Sequence, residues 1–408
     1  MLESVKSGDW LTLQRIRAYP ILLLVPLCFV IALWIGLSDG LLDRNGKPLG
    51  TDFSNVWSAG SLVLKGTPEG AYDLDVHYAA QKAAFGGRDV PYYAWHYPPP
   101  FLGIAALLAL MPYGLSLFVW IAATLPLYLA PIRAILAGKE ALLVALAFPA
   151  LFINIGHGHN GFVTAGLLGG GLVLLQRRPW LAGVLFGCLS YKPHFGLLIP
   201  LVLLATGRFQ TFASAAATTA ALALLSLMAF GPETWMAFAD SLAYTRGTIL
   251  ETGVTGWHKI QSLFSATRMW GGSIPAAYTA QLLLAIGIAA SLVWLWRSKA
   301  AFALKAAALV TASLLITPYM LDYDMVVLAP ALAWYTAHGL AHGFRDYEKS
   351  ALAFVWLAPL ITRTFAAVSG LPLGLIAMVI LYALILRRAS LDLDRVPLIQ
   401  WRWNLAKT

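Results

Sequence analysis

Pro98-Pro99-Pro100-Phe101-Leu102-Gly103-Ile104-Ala105-Ala106-Leu107-Leu108-Ala109-Leu110-Met111-Pro112-Tyr113-Gly114 is an apolar run framed by prolines. Whether it crosses a membrane decides the topology of the whole chain. Its apolar part, 98–111, has about 14 residues, short of the ~20 that a spanning helix needs. A proline triplet opens it and Pro-Tyr-Gly closes it, so the run reads as a re-entrant or interfacial segment.

Outward from this run, the chain demands lipid as solvent. Of its 408 residues, 59% are hydrophobic and 12% charged, against roughly 45–50% and about 25% in soluble domains. A soluble enzyme, a nucleic-acid-binding domain and a disordered scaffold are excluded. Further apolar runs lie at 19–38, 115–134, 141–156, 161–176, 180–191, 193–206, 211–230, 276–296, 303–317, 325–341, 351–368 and 371–387. Basic connectors separate them: Arg133/Lys139, Arg177/Arg178, Arg208, Arg297/Lys299/Lys305, Arg345/Lys349 and Arg387/Arg388. With 98–111 held out of the membrane core, every one of these connectors falls on the side of Lys6, Arg15 and Arg17, as the positive-inside rule requires. The inner segments then carry 18 basic and 7 acidic residues, the outer ones 10 and 12. The net charge of +9 is thus a topology signal and no sign of a nucleic-acid partner.

The expected fold is therefore all-α, a polytopic integral membrane protein with about 12 transmembrane helices, forming one membrane-embedded domain over 1–408. Both termini are expected to be cytoplasmic, and 19–38 reads as an uncleaved signal anchor. The short runs 180–191 and 193–206 are expected to tilt or break. Gly183-x-x-x-Gly187 and the Gly166/Gly169/Gly170/Gly171 cluster suggest close helix contacts. Cys28 and Cys188 sit in apolar runs with no CxxC spacing and read as packing residues. Polar sequence concentrates in two external loops, 39–97 and 231–275, the expected active-site face.

The first loop contains Thr51-Asp52-Phe53 and continues to Lys65-Gly66. Its stripe of Phe53, Val56/Trp57, Gly60 and Leu64 predicts an amphipathic helix lying on the membrane, with Asp52 at or near the N-cap; a second surface helix is expected over 74–85. Asp52 reads either as a cap or as a functional carboxylate. The loop ends in Tyr92-Tyr93-Ala94-Trp95-His96-Tyr97, which reads as an interfacial belt or as a sugar platform. Four more polar clusters share this face: 156–161 with His157, His159 and Asn160; 191–194 with Lys192 and His194; 257–268 with His258, Lys259, Gln261 and Arg268; and 317–324 with Tyr319, Asp322 and Asp324. His157-x-His159 is a weak zinc signal without a third ligand, and a divalent metal is not expected. Lys192, between two short spans, stands out as an ionisable group at membrane depth. Carboxylates, cations and hydrogen-bonding aromatics on one face suit transfer of a sugar from a lipid phosphate: cations neutralise the leaving phosphate, and a carboxylate takes the proton of the attacking hydroxyl.

In this order and spacing the motifs resemble those of glycosyltransferase family 87, integral membrane enzymes of the GT-C class. The matching elements are Asp52-Phe53, Trp57, Ala59-Gly60, Leu64, Gly66, Tyr72-Asp73, Tyr97-Pro98-Pro99, the Gly-[Gln/His]-x-Asn-like turn at 156–161, Lys192-Pro193 and the Thr-Pro plus Asp cluster at 317–324. The resemblance implies a GT-C fold and a polyprenyl-phosphate-mannose-dependent α-1,2-mannosyltransferase, inverting, with Asp52 as general base. It implies a polyprenyl-phosphate sugar as donor, a lipid or glycan acceptor, no tightly bound cofactor, and catalysis at the outer face of the bacterial cytoplasmic membrane. Lys192, Lys259 and Arg268 are then expected at the donor phosphate. Trp57, Tyr72, Asp73, His96, Tyr97, His157, His159, Asn160, His194, His258, Gln261, Tyr319, Asp322 and Asp324 are expected at the sugar or acceptor. Two departures stand out: Asp322-Tyr323-Asp324 replaces a His-rich cluster, and His157 stands where Gln is common. The competing readings are a transporter or flippase of a lipid-linked sugar, which leaves the loop 39–97 unexplained, and a surface-glycan polymerase or ligase.

Overall fold

The computed structural model describes residues 2–394, and within them the long elements are all helical. The chain starts with α1 (Leu2–Ser7) and α2 (Leu13–Gly36), then α3 (Thr51–Leu64), α4 (Leu74–Ala84), α5 (Pro100–Ala109) and α6 (Tyr113–Ile135). Next come α7 (Lys139–Leu146), α8 (Pro149–His157), α9 (Gly161–Leu174), α10 (Pro179–Cys188), α11 (Pro193–Gly196), α12 (Leu198–Ala205) and α13 (Phe209–Tyr244). α14 (Leu263–Met269), α15 (Ile274–Arg297), α16 (Phe302–Leu315), α17 (Leu328–His342), α18 (Glu348–Leu357), α19 (Thr362–Ser369) and α20 (Leu373–Leu393) complete the described residues.

Five helices are long and apolar enough to cross a bilayer, and two bent pairs, α7–α8 and α18–α19, raise that to seven. This is a membrane protein, but helix length does not support the expected twelve full spans. The runs at 161–176, 180–191, 193–206 and 303–317 form helices of 10–17 residues, at most about 25 Å long against a hydrocarbon core of ~30 Å. Proline is one cause: Pro179 and Pro193 each begin a helix, because proline fits the first turn and breaks the turn before it. The Gly183/Gly187 pair does what its spacing suggested. A Cβ at either position would overlap a carbonyl oxygen of α13, that of Thr211 or Ala215.

Contacts divide the molecule into two poles. At one, Arg17 pairs with Glu140 at 2.7 Å, Lys6 approaches Asp346 at 3.7 Å, and Arg388 pairs with Glu348 at 2.9 Å. These are the N-terminal segment and the basic connectors that the charge pattern grouped together; the C-terminal end of the chain, 395–408, lies outside the described residues. The other pole holds the two polar loops, 39–97 and 231–275. α5 stays at this second pole, as the prolines require. Phe101 near its start stacks on Tyr191 with centroids 4.9 Å apart, and Leu108 near its end accepts from Ser116 Oγ at 2.8 Å.

α3 departs from expectation. Phe53, Ser54, Asn55, Val56, Ser58, Ala59, Gly60 and Leu62 are all buried, so the helix lies inside protein and does not float on the membrane surface. The reason is Gly60, where a side chain would overlap the Ala105 carbonyl of α5; the two backbones touch. The expected second surface helix forms as α4. A core of Phe53, Val56, Trp95, Phe101, Tyr113, Trp120 and Tyr191 binds these elements together, and the site lies along its inner edge.

Candidate active site

Gly50 starts α3 in the left-handed conformation, at φ 69°, and Tyr113 Oη donates to the carbonyl oxygens of Leu49 at 2.6 Å and Gly50 at 3.1 Å. Asp52 is therefore the second residue of the helix, and Gly50 is the cap. The capping role considered for Asp52 does not occur. Its Oδ2 is buried with no hydrogen-bond partner, and the carboxylate accepts no hydrogen bond among the described residues. The side chain keeps 17% of its surface open, and with Oδ2 sealed, Oδ1 is the oxygen that can face a ligand. Burial raises the pKa of Asp52, opposed by His157, Lys192 and Arg363; the positive end of the α3 dipole also favours the charged form.

His157 ends α8 and His159 sits in the turn that follows. Gly158 is left-handed (φ 58°), and a side chain there would strike Phe53 and Leu117. Asn154 Oδ1 accepts from Gly161 N at 2.9 Å and Gly158 O accepts from Trp120 Nε1 at 3.1 Å, so the turn is fixed against α3 and α6. His157 Nε2 lies 3.1 Å from Arg363 Nη2, and its Nδ1 lies 2.7 Å from Thr51 Oγ1 and 3.7 Å from Asp52 Oδ2. Arginine can only donate, so Nε2 accepts and the ring proton belongs on Nδ1. His159 repeats the pattern: its Nε2 lies 3.2 Å from Lys192 Nζ and its ring stacks on Tyr323 at 3.8 Å. The Nε2 lone pairs of the His-x-His motif thus each face a cation.

Two ion pairs complete the centre. Lys192 Nζ donates to Asp324 Oδ1 at 2.8 Å, and Arg363 clasps Asp322 through Nε at 2.5 Å and Nη2 at 2.9 Å. Burial lowers the Lys192 pKa and raises that of Asp324, each opposed by the other's charge. Lys259, half-buried, is held below the usual lysine range by burial and by Arg363. It forms no ion pair among the described residues. Asp322 and Asp324 are each matched to a cation, so Asp52 is the carboxylate left over.

The structure brings Asp52, His157, His159, Lys192, Asp322 and Asp324 together, with His194, Tyr97 and the half-exposed Lys259 and His258 beside them. Asn160 lies buried here with neither side-chain atom bonded. Other expected residues are engaged elsewhere. Trp57 Nε1 donates to Met111 O at 2.9 Å. Arg268 donates to Gly272 O at 2.6 Å and Glu251 O at 3.2 Å and stacks on Trp257, so it locks its own loop. Gln261 is engaged by Thr362, Gly374 and the His258 carbonyl. Tyr319 packs against the cluster of Leu250, Phe264 and Ala277. Tyr72, Asp73 and His96 line a separate cleft. Asp73 Oδ1 caps α4 through Asp75 N and Val76 N, both at 3.0 Å.

Four members were not singled out from the sequence: Arg363, Tyr323, Thr51 and Tyr93, whose pKa burial and Asp52 push up to about 12. Arg363 had a readable signal, an arginine within the apolar run 351–368. A 79° break before α19 turns it toward the site. No group of three or more His, Cys, Asp or Glu able to hold a metal occurs among the described residues. Chemically, the centre offers an open carboxylate beside fixed cations, fit to take a proton where negative charge develops.

The family model of glycosyltransferase family 87 matches residues 95–318, more than half of the chain, including His157, His159 and Lys192. No curated protein and no solved structure matches.

Proposed function

Because the chain belongs to glycosyltransferase family 87 and is thereby a membrane glycosyltransferase, we propose that it transfers a sugar from a polyprenyl-phosphate donor to a lipid or glycan acceptor, with Asp52 as general base. The acceptor hydroxyl attacks the anomeric carbon as the bond from that carbon to the phosphate oxygen breaks. The configuration inverts, the hydroxyl proton passes to Asp52 and polyprenyl phosphate departs. Lys192, Arg363 and Lys259 neutralise the leaving phosphate, and no separate acid is needed because phosphate leaves as an anion. Mannose is the proposed sugar, and the outer face of the cytoplasmic membrane the proposed location, with the basic pole inside.

The observation that carries this reading is the Asp52 carboxylate, left without a hydrogen bond beside the cations Lys192 and Arg363. An unpaired buried carboxylate is costly, and its retention suits a group whose partner arrives with the substrate. The test is transfer from radiolabelled polyprenyl-phosphate mannose by Asp52→Asn in purified, folded protein. Loss of product supports the base; activity near wild type refutes it.

A further inference from the structure

Behind the aromatic segment that borders the centre lies a cleft of about 600 Å³ between the two polar loops. This is within the range of small-molecule pockets, roughly 300–1,000 Å³. Its walls come from the 67–76 segment, the 92–96 segment and the end of α13.

The wall between cleft and centre is the irregular segment 88–96. Tyr92, Ala94, Trp95 and His96 line the cleft, whereas Tyr93 feels the charges of Asp52 and Arg363 on the other side. Tyr72 Oη, from the cleft wall, donates to Tyr97 O at 2.9 Å, and Tyr97 in turn feels Asp52.

The two sides of this wall differ in charge: the centre balances Lys192, Arg363 and Lys259 against Asp52, Asp322 and Asp324, whereas the cleft carries carboxylates alone. No Lys or Arg lines the cleft among the described residues, while Glu69, Asp73 and Asp240 do. Its one histidine, His96, is held neutral by burial, which lowers its pKa to about 4. Such a cleft repels phosphate. It presents aromatic faces from Tyr72, Tyr92 and Tyr244. Carboxylate acceptors and flat apolar rings are what a hydroxyl-rich, uncharged ring requires.

We propose that this cleft binds uncharged saccharide and holds the non-reacting sugar units of the acceptor. The assignment to the acceptor rests on the glycosyltransferase reading above. It divides the labour by charge: the centre, which holds the cations, takes the donor phosphate, and the cation-free cleft takes neutral sugar.

The test is saturation-transfer NMR on the purified full chain with mannotriose, maltotriose and cellotriose, and with trigalacturonate as the anionic control. At least one neutral trisaccharide is expected to bind. Asp240→Asn and Tyr244→Ala are each expected to weaken it about tenfold, the equivalent of roughly 1.4 kcal/mol, and trigalacturonate is expected to give no signal. Absence of binding by all three neutral probes, binding insensitive to both variants, or equal binding of trigalacturonate would overturn the proposal. Asp52→Asn separates it from the catalytic reading, because that variant should lose transfer and keep trisaccharide binding. If it stays active with the cleft intact, only the base assignment fails; if it is inactive and wild type binds no trisaccharide, only the cleft assignment fails.

Discussion

Each pole of the molecule carries a buried cluster of cations and carboxylates, and the two clusters are finished differently. At the basic pole Asp392 accepts from Arg388, Arg345 and His338, and Glu348 accepts from Arg388 and the Arg345 backbone. Both carboxylates there are held by several donors. At the other pole Asp322 and Asp324 each hold one cation, and Asp52 holds nothing. The first cluster ties α17, α18 and α20 together; the second reserves an oxygen. Incomplete satisfaction of a buried charge, more than the presence of charge, separates a working site from a structural one.

The sharpest way to break this contrast is Asp52→Asn, which keeps shape and removes the base. Transfer from a polyprenyl-phosphate donor should fall by about 10²–10⁴-fold, while Tm holds or rises. Burial raises the Asp52 pKa, so ionised Asp52 costs folded-state stability at neutral pH, and the neutral isostere removes that cost. A Tm drop of several degrees would show Asp52 to be structural after all. The mirror experiment is Arg388→Met. It strands Glu348 in the interior and should cost about 3–5 kcal/mol of stability, read as a fall in Tm. Transfer per folded molecule should be unchanged, and a selective loss of transfer would tie the basic pole to catalysis.

Lys192→Met should reduce kcat/KM about 100-fold, the loss of one electrostatic partner of developing charge, and should also strand Asp324. Adding Asp324→Asn restores the internal charge match, so the double variant should recover Tm and remain slow. Recovery of activity as well would show that Lys192 serves only its ion pair. The pH dependence sharpens the same point. Asp52 must be ionised, and burial lifts it above its ordinary 3.8, so activity should rise with pH through a midpoint higher than that. Lys192 must stay protonated, and burial lowers it from 10.5, so activity should fall again below that value. An acid limb at or below 3.8 would exclude Asp52 as the group that limits the rate.

What the residues announced and what they hid follow from one distinction. The two poles were legible because charge placement along a membrane protein is a one-dimensional pattern: Lys139, Arg208 and Arg345 fall between apolar runs, and so does Asp52's loop. Helix ends were less legible, since an apolar run does not reveal that Pro179 and Pro193 each begin a new helix. Backbone partners were invisible. Trp57, Arg268 and Gln261 looked like ligand-binding groups, yet each is occupied by main-chain or side-chain partners far along the chain, such as Met111, Glu251 or Gly374. The stripe on α3 was real, but the absent side chain of Gly60 placed it against α5 and away from lipid.

The smallest effect tests the most specific claim, that His157 positions and does not itself move the proton. Arg363 donates to its Nε2, so its free proton sits on Nδ1, toward Thr51, with Asp52 3.7 Å away. Glutamine can reproduce both bonds: its carbonyl oxygen accepts from Arg363 and its amide nitrogen donates to Thr51. His157→Gln should therefore cost transfer less than about threefold, within the range of one perturbed hydrogen bond, whereas His157→Phe, which leaves Arg363 without that acceptor, should cost about tenfold or more. The two variants also separate positioning from acid–base chemistry in the pH profile. Glutamine does not titrate, so an unchanged acid limb in His157→Gln assigns that limb to Asp52 alone. If the limb moved, or if His157→Gln lost transfer as severely as Asp52→Asn, the imidazole would be carrying the proton, and Asp52 would be its partner and not the base.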